Sequence, residues 1–164
     1  MEDRTDAWAK GVVDAQQANV ARLEKAIQNG LTFTQVSFAY YHLKGMGPWT
    51  PAEITMELVL EIEAWTTALV ISYGRLFASS EGVSRISRGS VPGPHRAVHD
   101  EIIALRNKRF AHHGRHDSIS TEVSVVFEGD KFHVRSAIRQ DMVFGAPPKW
   151  EPLIKWLGKY LFEE

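Results

Sequence analysis

Between His99 and Gly114 the chain gathers the side chains best suited to handling a charged, phosphate-bearing ligand: Arg106, Asn107, Lys108, Arg109, His112 and His113. A guanidinium is always charged, and its planar fork of donors matches phosphate oxygens. An imidazole titrates near neutrality and can give or take a proton. The segment has no Pro, no Gly before Gly114, and good helix formers at Glu101, Ala104, Leu105, Arg106 and Lys108. It therefore predicts a helix over 95–113, stopped by Gly114 at the C-cap. At 100° per residue, Ile102, Ile103 and Phe110 share an arc that should face the core, and Arg106, His99 and His113 fall on the same arc. An unpaired buried charge costs several kcal/mol, so Arg106 there calls for a carboxylate on a neighbouring helix or for a ligand.

The order of the residues resembles the signature of the HEPN superfamily, the "higher eukaryotes and prokaryotes nucleotide-binding" domains. That signature is an Arg, usually followed by Asn, Asp or His, with four to six residues before a His. Here Asn107 follows Arg106, five residues separate Arg106 from His112, and six separate it from His113. The resemblance covers roughly residues 51–116. It implies an antiparallel helical bundle, no cofactor, and a homodimer in which two motifs meet in one cleft. It also implies a metal-independent endoribonuclease, often a toxin of toxin–antitoxin or phage-defence systems, with RNA as substrate and an antitoxin as a further partner. Many members carry a Tyr two residues after the motif His. Gly114 stands there after His112, and Arg115 after His113, so modification at that place is not implied.

The chemistry of the residues agrees with that implication. RNA carries its own nucleophile, the 2′-OH, so cleavage needs only a base, an acid and a stabiliser for the phosphorane. Arg106 would be the stabiliser. His112, with His113 as the alternative, would be the base or acid, and Asn107 would hold the Arg or the phosphate. Tyr73 and Arg75 from the facing helix, with Lys108 and Arg109, would contact the RNA. A two-fold dimer would supply the second set of proton-transfer groups.

Two other readings fit the same residues. In one, the chain is a non-catalytic binding domain and Arg106 is structural, paired with a carboxylate on a neighbouring helix; in the functional reading Glu57 or Glu61 faces Arg106 and fixes its fork, where otherwise the glutamates form a solvated face. In the other, His95 and His99, or His112 and His116, form i, i+4 imidazole pairs for a metal, with Asp100 and Asp117 adding oxygen. No HExxH run accompanies them.

These side chains need a scaffold, and the rest of the chain supplies one. At 164 residues and 44% hydrophobic it is read as a single domain with a proper core. Net charge is −1, so attraction to nucleic acid must be local. From Arg75 to Arg115 there are eight Lys and Arg against three acids, a surplus surrounding the motif. The absence of cysteine removes disulfides, zinc–thiolate sites and thiol catalysis. The acidic, polar start is unlike a signal peptide, and Ala68–Ile71 is too short an apolar run to span a bilayer. A cytoplasmic protein with no membrane contact is expected.

The fold expected is mainly α, an antiparallel bundle with an appended hairpin and a terminal helix. A first helix runs from about Thr5 to Gln28, ended by Asn29-Gly30, and a second, shorter segment covers Phe33 to Leu43. Thr50-Pro51 starts the longest helix, over 51–79, with Ile54, Leu58, Ile62, Trp65, Leu69, Tyr73 and Leu76 as its apolar stripe and Tyr73-Gly-Arg75 at its end. A turn-rich loop leads back to the motif helix, making the two antiparallel neighbours. After Gly114 the period changes to that of a hairpin near 121–136, around a three-residue loop Glu128-Gly-Asp130. An isolated hairpin is marginal, so it should lie on the helices or on its copy in another subunit. Trp150 to Phe162 closes as an amphipathic helix.

Overall fold

The computed structural model describes residues 2–79, 85–110, 119–140 and 145–163. It is a mainly helical bundle with a two-stranded antiparallel hairpin and a C-terminal helix. The helices are α1 (Glu2–Gly45), α2 (Met56–Phe77), α3 (Arg96–Leu105) and α4 (Glu151–Phe162), and α3 runs on into a single π-helical turn over Arg106–Phe110. Strands β1 (Ile119–Glu128) and β2 (Lys131–Gln140) form the hairpin. No helix among the described residues is long and apolar enough to cross a membrane.

Where two helices were expected before the central one, α1 is a single helix of 44 residues. Asn29 and Gly30 do not end it. Asn29 is buried where α1 enters the bundle, and a Cβ on Gly30 would sit 3.3 Å from the Phe162 ring of α4. The glycine thus makes room for a neighbouring helix rather than supplying a left-handed cap. Just beyond it, the Thr32 and Thr34 hydroxyls bond back to the carbonyls of Gln28 and Gly30, at 2.9 and 3.0 Å, along an unbroken helix.

The start of α2 also differs. Thr50 and Pro51 open only a 3₁₀ turn, Pro51–Glu53, in which the Glu53 carboxylate accepts from the Thr50 backbone at 2.7 Å and from its hydroxyl at 2.8 Å. The chain then turns extended, and Thr55 caps α2 by accepting from the Leu58 amide at 3.2 Å. A local capping box won over a longer helix, which leaves Ile54 outside the helix and half exposed. At the other end α2 runs through Tyr73-Gly74-Arg75 to Phe77.

The core joins the C-terminal third of α1 (Val36, Tyr40, Leu43) to Leu69, Tyr73 and Leu76 of α2, Ile102 of α3, and Trp150, Leu153 and Leu157 around α4. Polar bridges pin α4: Trp150 Nε1 donates to Glu101 at 3.3 Å, and Lys44 reaches Glu151 at 2.8 Å. The link from α2 to α3 is anchored by the Ile86 amide on the Leu76 carbonyl, at 2.9 Å.

The hairpin pairs Phe127 with Phe132 and Val125 with Val134. Its turn has two residues rather than three: Glu128 and Lys131 still pair, and Gly129 takes φ +65°, as the first central position of a II′ turn requires. Alternation puts Val123, Val125, Phe127, Phe132 and Val134 on one face, and all five are exposed. The helices do not cover that face.

Because α2 begins at Thr55, replacing Thr55 with Ala should cost about 1 kcal/mol of stability through the lost cap. Ile54→Ala should stay within about 0.5 kcal/mol, since Ile54 is not part of the core. Urea midpoints of the two variants against wild type check both values.

Candidate functional site

The polar cluster lies where α3 and its π turn run antiparallel along α2. His99 is buried, and its Nδ1 lies 2.8 Å from the hydroxyl of Tyr73, itself fully buried. The Phe77 ring packs edge-on against the imidazole, with centroids 4.4 Å apart. Burial pushes the Tyr73 phenol far up, so it stays protonated and shares a hydrogen bond with Nδ1 of the imidazole. Burial likewise holds the His99 pKa below its usual 6.5; Asp100 acts against that shift and Arg88 with it. This pair is part of the core. Tyr73 is thus not available to contact RNA.

One turn further on, two arginines divide the work. Arg109, whose side chain is 1% exposed, directs Nη2 to both oxygens of Glu63, each at 3.0 Å. Its guanidinium also lies 5.1 Å from the centroid of the half-buried Phe110 ring. Glu63, which is 29% exposed, is therefore the acid of the helix–helix ion pair. Glu57 and Glu61, the expected partners for Arg106, are not. Glu61 faces His42 instead, at 3.8 Å. Arg109, expected on the RNA-binding surface, is structural.

Arg106 has no carboxylate within ion-pairing distance among the described residues. Its stem crosses α2 at Gly74, where an added Cβ would lie 3.0 Å from Cγ and 3.1 Å from Cδ. A glycine inside a helix is unfavourable by about 0.5–1 kcal/mol relative to Ala, and here it provides the seat for that stem. Arg106 Nη1 donates to Asn107 Oδ1 at 3.0 Å in an exposed contact. Its Nε is buried and has no acceptor among the described residues. In a regular α-helix, side chains three apart diverge by about 60°. The wider π turn separates them more, which lets Arg109 go inward while Arg106 stays at the edge.

The surrounding surplus of positive charge is smaller than composition implied. Arg88 forms a two-point pair with Asp100, at 2.7 and 2.6 Å, and its guanidinium holds that carboxyl below the usual range. Arg96 holds the backbone carbonyls of Val91 and Gly89. Arg75 and Lys108 remain exposed, with no acid partner among the described residues. His112, His113 and His116 lie outside the described residues, as does Arg115. Among those described, no group of three or more His, Asp or Glu is arranged to hold a metal.

Three roles were missed in the sequence: Glu63 as the acid partner of Arg109, Gly74 as the seat for Arg106, and Tyr73 as the partner of His99. Arg109 carried a usable signal, because it lies seven residues after Ile102 and so on the buried arc. Glu63 was passed over for Glu57 and Glu61, although it lies about 200° from Glu61 around the helix. No protein-family model, curated protein or solved structure matches the chain.

Two measurements test this division. Glu63→Ala leaves a desolvated guanidinium without its carboxylate and should cost about 3 kcal/mol in urea unfolding. His99 gives a pH signature. Its folded pKa lies below the unfolded value, so the unfolded chain holds more protons between the two. Its contribution is complete above about pH 6.5 and shrinks as pH falls toward the folded pKa. Urea midpoints at about pH 7.5 and 5.5 should fall more steeply with acid in wild type than in His99→Gln.

Proposed function

We propose that this chain is a metal-independent endoribonuclease of the HEPN type, with Arg106 as the phosphate-stabilising group. The observation that carries the reading is the separation of the two arginines. The helix–helix contact already has its buried cation in Arg109, so Arg106 is not needed for that role. It is held instead on a glycine seat, with one nitrogen steadied by Asn107 and no acid among the described residues within ion-pairing distance of its fork. A guanidinium placed this way suits an oxyanion.

In the proposed reaction a base takes the 2′-OH proton and the 2′ oxygen attacks phosphorus. The bond from phosphorus to the 5′ oxygen breaks, and an acid protonates that oxygen. The products are a 2′,3′-cyclic phosphate and a 5′-hydroxyl, and nothing is oxidised or reduced. Arg106 carries the charge of the phosphorane, and Asn107 fixes the Arg106 fork. His112, with His113 as the alternative, exchanges the protons. Exposed Arg75 and Lys108 meet the flanking phosphates. A second copy sharing the cleft would supply the other proton-transfer group. A toxin or phage-defence role in the cytoplasm, held in check by an antitoxin, is the biological setting this activity suits.

The test is cleavage of RNA in the presence of a chelator, with detection of the cyclic phosphate. Arg106→Ala should lower the rate on the order of 10²–10³-fold. Its thermal transition should move little, because no carboxylate depends on it. His112→Ala should match it if the two act as a unit. Intact RNA with wild-type protein, or unfolding of Arg106→Ala, would leave a non-catalytic binding domain with a structural Arg106.

A further inference from the structure

The N-terminal half of α1 has a largely apolar face, interrupted by Gln16 and Asn19, that none of the described residues covers. Residues 7–28 are exposed throughout, about 33 Å of helix. At 100° per residue, Trp8, Val12, Val13, Val20, Leu23, Ile27 and Leu31 fall within an arc of about 140°. Each is 43–71% exposed. Lys10, Asp14, Arg22, Glu24 and Lys25 all lie outside that arc, so it carries no charge. An isolated helix with Gly11 and three valines along it is marginal in water, and its helicity calls for packing.

We infer that this face docks on the same face of a second copy of the chain, as an antiparallel helix pair with its two-fold axis between Asn19 and Val20. In that orientation the two ends of the stripe meet each other across the axis. Trp8 comes opposite Leu31, Val12 opposite Ile27, Val13 opposite Ala26, and Gln16 opposite Leu23. A parallel pair would instead stack Trp8 on Trp8 and Gln16 on Gln16.

The ends of the stripe fit each other as well. Beside Leu31 an apolar groove of about 420 Å³ opens between α1 and α4, lined by Ile27, Gly30, Leu31, Leu161 and Phe162 among others. The antiparallel pairing lays the partner's indole over this groove, covering Phe162, which is otherwise exposed. Seven large apolar side chains per copy present surface of the order of the 800 Å² per partner that a standard interface buries. A stripe without charge favours an apolar partner, and the chain carries that partner itself. This pairing stands apart from the nuclease reading: a chain that cleaves nothing would pair in the same way.

The chain has no cysteine, so single cysteines can be placed at will. Under mild oxidation Val20→Cys, next to the axis, should form a disulfide-linked dimer. Val12→Cys alone should not, but Val12→Cys mixed with Ile27→Cys should give the mixed dimer. In sedimentation equilibrium, Leu23→Glu should weaken the dimer at least about 100-fold, since both copies lose a buried Leu. Leu23 is exposed in the single chain, so folding should be unaffected. A monomeric wild type would overturn the inference. So would self-linking of Val12→Cys, which marks a parallel pair, or an assembly whose mass Leu23→Glu leaves unchanged; the shared-cleft contact of the proposed nuclease is a separate interface and would survive that substitution.

Discussion

The contact on which this arrangement depends is the buried pair of Arg109 and Glu63. A guanidinium with a side chain only 1% exposed is tolerable because a carboxylate takes it up at 3.0 Å on both oxygens. Such a pair adds little net stability over an apolar contact, but one partner alone is costly. Its effect is therefore on register. With Arg109 held at Glu63, the strand of contacts between α2 and α3 runs from His99 at Tyr73, through Arg106 at Gly74, to the ion pair. The π turn follows from the same constraint, since it turns Arg109 inward and leaves Arg106 at the edge of the bundle.

Two polar pairs along one helix face thus have opposite characters. Tyr73 and His99 satisfy each other in the core, and burial keeps both neutral. They complete the packing of α2 against α3 but have nothing left to offer a ligand. Arg106 and Asn107 form a pair at the rim, and among the described residues no carboxylate takes up the Arg106 fork. The core thus absorbs the residues that looked reactive by type, and the candidate chemistry moves to those that packing left at the rim.

The helices of the bundle are covered on their inner faces, while the N-terminal half of α1 and the apolar face of the hairpin are not. Both are amphipathic, and both depart from the usual pattern in which an apolar stripe of this size lies against its own domain. For α1 the stripe has the length and symmetry to be its own partner. The hairpin's five exposed apolar residues have alternation but no comparable feature that selects an occupant.

Much of this protein was legible along the chain, for reasons of local physics. The periodicity of α2, α3 and α4 and the β-branched alternation around Gly129 all act over a few residues, and the structure has these elements, though α2 starts five residues later than expected and α3 passes into a π turn at Arg106. Arg106 and Asn107 stood out because a guanidinium on an apolar arc needs a reason. What the linear order did not decide was the choice between equivalent local options. Asn29-Gly30 reads as a helix stop until Phe162, over a hundred residues away, takes the space a side chain would fill. Glu57, Glu61 and Glu63 are alike in type until Glu63 comes to face the bundle at the place where Arg109 arrives. The two arginines, three residues apart, are alike in type, and only the fit of α3 on α2 pairs one with Glu63 and leaves the other at the rim.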